Sequence, residues 1–323
     1  MGLRRDGNLP KGSVRHQGQD AISECVELQR RKSGGAEVEK VRFVARRQPE
    51  QVQTGSFVNH KPSSHKSLNY AFAANRPVAV EALKRLISAG HRPRMLLLGG
   101  EPDQECHAQL RHLCSDLGPD LLFTGKPGPE VVDVLAGLDL DYLICVHYPH
   151  FLPEDVLDAP RIGSLNLHPA YLPFNRGWHT PSWAILEGTP AGATLHFMSG
   201  GIDEGDIVLQ EQVDVLPTDT AHSLYCRILD AEVELLDRAI PLLVAADLPR
   251  KAQDLQAGTT HRREDLWGSG VVHIDGDETV TASEILLRMR ALTTSDWSEA
   301  LTVHVGDRRF RIQVQVQEDC SDV

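Results

Sequence analysis

The sequence predicts an α/β protein built on a doubly wound, mostly parallel sheet, with a small C-terminal α+β module that ends in a hairpin. Three observations predict it. Short apolar runs alternate with amphipathic helical segments from residue 67 onward, the pattern of a parallel sheet covered on both faces. Pro and Gly stand where such helices start and stop. Late in the alternation a strand ends on Asn166 and His168, and open α/β sheets place their ligands at that end of their strands.

Leu68–Ala73 reads as the first buried strand, and Val78–Ala89 as a helix with Val80, Leu83, Leu86 and Ile87 on one face. Pro77 suits the first helical position, and Gly90 suits the end. Neither a GxGxxG nor a Walker loop lies between strand and helix, so a dinucleotide or ATP fingerprint is absent. Asn75 and Arg76 fall at the strand's C-terminal end, beside a helix N-terminus that favours an anion; they serve either as substrate contacts or as helix caps. Met95–Leu98, Leu121–Phe123 and Asp141–Val146 follow as strands, separated by helices over Asp103–Leu117 and Gly128–Leu138. Cys106, His107, His112 and Cys114 match no common zinc spacing, so no metal is expected.

Leu165 and Leu167 alternate with Asn166 and His168, which sends the leucines to one face of a strand and the polar pair to the other. Pro169 stops that strand. Downstream, Asp203 sits in the flexible run Gly200, Gly201, Ile202, Asp203, Glu204, Gly205, Asp206, able to fold a carboxylate back over a strand end. Strands over Ala193–Met198 and Ile207–Val215 flank it, and a long helix spans Thr218–Ala246 with Asp219 at its start, as the helix dipole favours. A helix over Ala282–Leu292 and a hairpin of Ala300–Val305 with Arg309–Val316 complete the chain.

Asn166-Leu167-His168-Pro169, then Leu172-Pro173, Arg176-Gly177 and Ile202-Asp203-Glu204-Gly205-Asp206 together resemble the formyltransferases that use 10-formyltetrahydrofolate. The likeness covers most of Leu68–Leu236 and extends more weakly to about Val316, with the sugar-nucleotide N-formyltransferases nearest in the Trp178–Ile185 stretch and around Arg290–Thr293. It implies a Rossmann-like formyltransferase fold. It also implies Asn166, His168 and Asp203 as catalytic residues, and folate contact by His150, Phe151, Leu152, Leu172, Pro173, Gly201, Ile202 and Asp203. Asn75, Arg76, Arg176, His179 and Trp183 are the candidates for the amine substrate, Trp183 either stacking on a base or sugar or joining the core. Two departures stand out: Pro169-Ala170 replaces a serine found in many relatives, and residues 1–66 have no counterpart.

The chemistry asks for the same residues. Formyl transfer to an amine passes through an oxyanion that needs donors, which the Asn166 amide and the His168 imidazole can supply, and a proton must move from the amine to the departing nitrogen. A carboxylate at Asp203 is expected to raise the His168 pKa and favour the protonated ring.

Composition sets the context. Of 33 basic and 45 acidic residues, the first 66 positions hold 13 and 7, so that segment carries about +6 and the rest about −18. A body of that charge disfavours methionyl-tRNA and other nucleic acid as acceptor unless the basic segment compensates. The expected organisation is a basic, disordered or accessory extension over 1–66, with a candidate short strand at Val38–Val44; a catalytic domain over 67–250; a linker over 251–266; and a small module over 267–323, which acts either in a homodimer or as a covering lobe. Six cysteines without a paired framework, and no run long enough to span a membrane, indicate the cytoplasm. The leading acceptor is an amino sugar linked to a nucleotide. A secondary-metabolite or siderophore amine would keep the mechanism, and a folate- or nucleotide-binding protein without activity is the non-enzymatic competitor.

Overall fold

The computed structural model describes residues 67–100 and 104–318. The basic extension and its candidate strand lie outside them. Five strands form the parallel part of a seven-stranded sheet: β1 (Tyr70–Ala74), β2 (Met95–Leu98), β3 (Leu122–Thr124), β4 (Tyr142–Val146) and β5 (Gly163–His168). The two-residue β6 (Arg176–Gly177) stands apart, and the chain returns as β7 (Ala191–Phe197) and β8 (Ile207–Val213), both antiparallel to their neighbours. The order is β3-β2-β1-β4-β5-β7-β8, so successive strands run outward from β1 on one side and from β4 on the other. That reversal is where open sheets form a crevice.

Every residue of β1, β2 and β4 is buried, as expected for apolar runs covered on both faces. Helices α1 (Pro77–Ser88), α2 (Gln104–Leu113) and the long α6 (Ala221–Ala245) pack on one face through Leu83, Leu110 and Leu235. Helices α3 (Pro129–Gly137) and the short α4 (Glu154–Leu157) cover the other through Leu135 and Val156, while α5 (Thr180–Glu187) leads into β7. None of the described helices is long and apolar enough to cross a membrane.

Local chemistry explains where the boundaries differ from expectation. The helix expected to reach Leu117 stops at Leu113, where the chain tightens into a turn closed by Leu117 N–H on the Cys114 carbonyl. The long helix begins at Ala221, not Thr218, because Thr220 and Ser223 form a reciprocal capping box. Asp219 lies just before that start, ion-paired with Arg227 and accepting the Leu216 N–H at 2.7 Å.

The C-terminal part is a three-stranded sheet of β10 (His273–Asp275), β11 (Leu301–Val305) and β12 (Arg308–Ile312), with α8 (Ala282–Ala291) beside it. The hairpin was expected; β10, pairing parallel with β11, was not, since three residues carry too little periodicity to read. The segment read as a linker is pinned. Its β9 (Thr260–His261) pairs with β6, and α7 (Asp265–Gly268) follows. A cluster of Trp183, Leu266, Val272, Ile274, Leu292 and Leu301 joins this module to α5.

Candidate active site

Strand β5 runs parallel to β4 and antiparallel to β7, so its C-terminal end is flanked on both sides. Leu165 and Leu167 enter the core under α6, and Asn166 and His168 take the opposite face, as the alternation predicts. The register sets His196 of β7 directly across from Asn166. The turn after β5 is tied by hydroxyls of Thr180 and Thr194, which donate to the carbonyls of Pro169 at 2.5 Å and Ala170 at 2.6 Å.

Asp203 closes over this strand end with a left-handed backbone, φ 52°. Its Oδ1 accepts from Asn166 Nδ2 at 3.3 Å and lies 3.5 Å from His196 Nε2. Its Oδ2 accepts the Gly177 N–H at 3.0 Å and lies 3.5 Å from His168 Nε2. The Gln253 amide holds the loop by donating to the carbonyls of Asp203 and Gly205, at 2.8 and 2.7 Å. Gly177 must be glycine: with φ 93°, a Cβ there would meet the His261 carbonyl oxygen of β9 at 2.1 Å. Five of the seven non-glycine residues with positive φ among those described, Arg76, His147, Asn175, His179 and Asp203, lie at strand ends and loops on this side of the sheet, where strained backbone concentrates at functional sites.

The electrostatics correct one expectation. Burial is the largest influence on His168 and pushes its imidazole down to about 4; Asp203 opposes this, and His196 and His147 add to it. At neutral pH the ring is therefore neutral, because desolvation outweighs the carboxylate. Its Nε2 is buried 3.5 Å from Asp203 Oδ2 without a hydrogen-bond partner, so the bond to the Asn175 backbone is made by Nδ1 and Nε2 carries the lone pair. Burial also pushes the Asp203 carboxyl up, but His168, His196 and the Gly177 N–H outweigh it and hold Asp203 well below the usual carboxylate range. The site thus holds an ionised carboxylate, an amide and a neutral imidazole whose lone pair has no hydrogen-bond partner.

The other candidates divide. Phe151 is 62% and Ile202 41% exposed, so each offers apolar surface to a ligand, while His150 Nε2 accepts the Gly100 N–H at 3.2 Å. Leu152 and Leu172 have buried side chains, and Leu172 also spends its backbone, donating its N–H to Thr194 Oγ1 at 3.2 Å and accepting from Gln210 Nε2 at 2.6 Å; the Leu172–Pro173 peptide is cis. Gly201 lies two residues before Asp203, against Glu204. Asn75 is buried and faces His107 Nε2 through Oδ1 at 3.0 Å, whereas Arg76 is exposed at the α1 N-terminus and makes no side-chain cap.

Three residues assigned to the substrate are spent inward. Arg176 is buried and donates to Thr260 Oγ1 at 2.8 Å and to the carbonyls of Pro173 and Leu255, fastening β6 to the segment around β9. His179 has both ring nitrogens engaged, Nδ1 near Glu299 Oε1 at 3.4 Å and Nε2 near the Arg263 carbonyl at 3.2 Å. Trp183 is 7% exposed and stacks on His261 with ring centroids 3.9 Å apart. Within Arg176–Trp183 the exposed aromatic is Trp178 at 40%, with the Arg263 guanidinium 5.3 Å from its ring. The sequence pattern did not single out His196, although Thr194 and His196 alternate with apolar residues as Asn166 and His168 do.

Residues 100–240, which contain Asn166, His168 and Asp203, match the formyl transferase family. The cytosolic 10-formyltetrahydrofolate dehydrogenase of Mus musculus is 32% identical over 178 residues, covering 54% of this chain and 19% of that protein. The methionyl-tRNA formyltransferase of Syntrophus aciditrophicus is 34% identical over 137 residues, covering 42% and 44%. This chain therefore spans less than half the length of these curated relatives. A sugar N-formyltransferase from Shewanella sp. superposes with a TM-score of 0.66 at 20% identity, over 78% of this chain and 99% of that one, so the fold is the formyltransferase fold.

Proposed function

From a chain that carries a formyl transferase domain over residues 100–240, we propose an N-formyltransferase that moves the formyl group of 10-formyltetrahydrofolate to a primary amine. The observation that carries this reading is the convergence of Asn166, His168 and Asp203 within 3.3–3.5 Å at one strand end, with the His168 Nε2 lone pair lacking a hydrogen-bond partner. The amine nitrogen attacks the formyl carbon, the bond from that carbon to folate N10 breaks, and the proton lost by the amine ends on N10. His168 Nε2 accepts that proton and passes it on; once charged, the ring is paired by Asp203 and stabilises the oxyanion together with the Asn166 amide. A folate fits the residues present: exposed Phe151 and Ile202 offer apolar contact, and the loop residues His150, Leu152 and Gly201 offer backbone groups.

The acceptor we infer is an amino sugar linked to a nucleotide. Trp178 supports this choice: it adjoins Gly177, whose N–H holds Asp203, and it presents a planar face beside the Arg263 cation, suited to a base and a phosphate. Asn75 and Arg76 sit where an anion would meet the α1 N-terminus. The same reading places the enzyme in the cytoplasm. It assigns homodimer contacts to the C-terminal module, where Leu286, Val305 and Phe310 are exposed.

The test is transfer by the purified chain from 10-formyltetrahydrofolate to a panel of nucleotide-linked 3-amino and 4-amino sugars, read as the mass of each acceptor and the release of tetrahydrofolate. One acceptor gaining the mass of CO supports the reading. Folate binding without any sugar product moves the acceptor to another amine, and no folate binding removes the proposal.

A further inference from the structure

Helix α6 lays an apolar stripe on the sheet through Leu224, Ile228, Ala231, Leu235, Leu236 and Ala239. Glu232 interrupts that stripe, one turn after Ile228 and one turn before Leu236, and it is fully buried. A carboxylate in such a place is costly unless something specific compensates it. Burial pushes its pKa up, and His147 opposes the shift.

The compensating group is in the crevice. His147 is the first residue after β4, in the position that extends the pairing of Val146 with Leu167 toward His168. Its Nε2 lies 2.9 and 3.0 Å from the two oxygens of Glu232, and its Nδ1 lies 3.2 Å from the hydroxyl of Tyr225, also on α6. Both ring nitrogens are engaged, so His147 has none left for a substrate. Its backbone is left-handed, φ 52°, a conformation that a residue with a side chain adopts at a cost and that the surroundings must hold. The turn breaks the alternation of β4 and swings the imidazole onto α6. The same turn launches the loop that carries Tyr148, Pro149, His150 and Phe151 over the strand ends, where the Tyr148 hydroxyl donates to the Gly125 carbonyl at 2.5 Å and the Gly100 N–H donates to His150.

We propose that Glu232 is a positioning residue for folate: with Tyr225 it locks His147, and the locked turn sets the loop from Tyr148 to Phe151 as one wall of the folate cleft. This rests on the formyl-transfer reading, since it concerns the same cleft. Glu232 touches no reacting atom. Its effect passes through a hydrogen-bonded imidazole and one strained turn.

Calorimetric titration of tetrahydrofolate into the full chain, alongside thermal melting, separates this from a purely structural role. Glu232→Leu leaves the buried His147 Nε2 without its partner, so its melting temperature is expected to fall, and binding is read at a temperature where the variant is still folded. Its tetrahydrofolate affinity is expected to fall about tenfold or more, the loss of a hydrogen bond to a charged group. Glu232→Gln, which keeps an acceptor for the imidazole N–H, should stay within about threefold of the wild type. In turnover, Glu232→Leu should raise the KM for 10-formyltetrahydrofolate and spare the KM for the amine. Glu232→Leu binding folate as tightly as a wild type that does bind it overturns this proposal alone; a wild type that binds no folate overturns the formyl-transfer reading as well. Should Glu232→Leu fail to fold, Tyr225→Phe decides: it removes the Nδ1 contact, and unchanged folate affinity overturns the proposal.

Discussion

Two neighbouring stretches, Asn166–His168 and Arg176–Trp183, look equally suited to chemistry, and the fold treats them in opposite ways. At the first, the polar side chains leave the core, meet Asp203, and keep a buried lone pair unpartnered on His168. At the second, Arg176, His179 and Trp183 turn toward the segment around β9 and the C-terminal module, where Arg176 and His179 engage their ring or guanidinium nitrogens and Trp183 spends its ring face on His261. A polar or aromatic residue beside a site is thus judged by what the rest of the chain already asks of it, as Arg176 and His179 show.

The largest effect expected from this contrast is on rate. His168→Ala and Asp203→Ala should each lower formyl transfer by about 100-fold or more while tetrahydrofolate release still tracks any product formed, measured as kcat on the responsive acceptor. Loss of activity in neither variant would break the assignment of the first stretch as the reacting centre.

The two tryptophans sharpen the comparison next. Trp183→Ala should cost about 3–5 kcal/mol of stability, because it empties the joint between α5 and the C-terminal module. Trp178→Ala should change stability by less than about 0.5 kcal/mol, yet weaken the acceptor in the KM. Chemical denaturation of both variants measures the stabilities, and a destabilised Trp178→Ala with an unaltered KM would exchange the roles of the two side chains.

The smallest effect is on pH dependence. Burial holds folded His168 near 4, below its value in the unfolded chain, so between about 4 and 6.5 the unfolded state binds the extra proton. His168 therefore contributes stability in full above about 6.5 and loses it as pH falls toward 4. The Asp203 contribution is lost only at lower pH, because its pKa is depressed below the ordinary carboxylate value. Melting temperature measured from pH 4.5 to 7.5 should fall less steeply toward acid in His168→Gln than in the wild type; parallel curves would show that the ring is not held neutral by burial.

The fold was readable because apolar runs with nothing polar to satisfy can be placed only inside a sheet covered on both faces, and β2 appears where expected, Met95–Leu98. Asn166 and His168 were readable for a related reason: period-two alternation puts them together on one face whatever surrounds the strand. His196 was not, because its place across from Asn166 depends on the register of β7 against β5, set by a connection of more than twenty residues. Glu232 was not read as a site residue in the long helix, although an acid on the apolar stripe was itself the signal.

By itself, then, the sequence determined the mostly parallel sheet with its longer helices and set Asn166 and His168 on one strand face, since local periodicity and turn chemistry act over a few residues. Asp203 was joined to them only by the family resemblance. Tertiary structure alone decided how they work. It buried His168 deeply enough for desolvation to outweigh Asp203, and it folded β9 onto β6 so that Arg176 became a fastener. It also brought Glu232 to His147 across 85 residues of chain. Protonation state and free valence are set by everything within a few ångströms of a group, and most of those neighbours are remote in sequence.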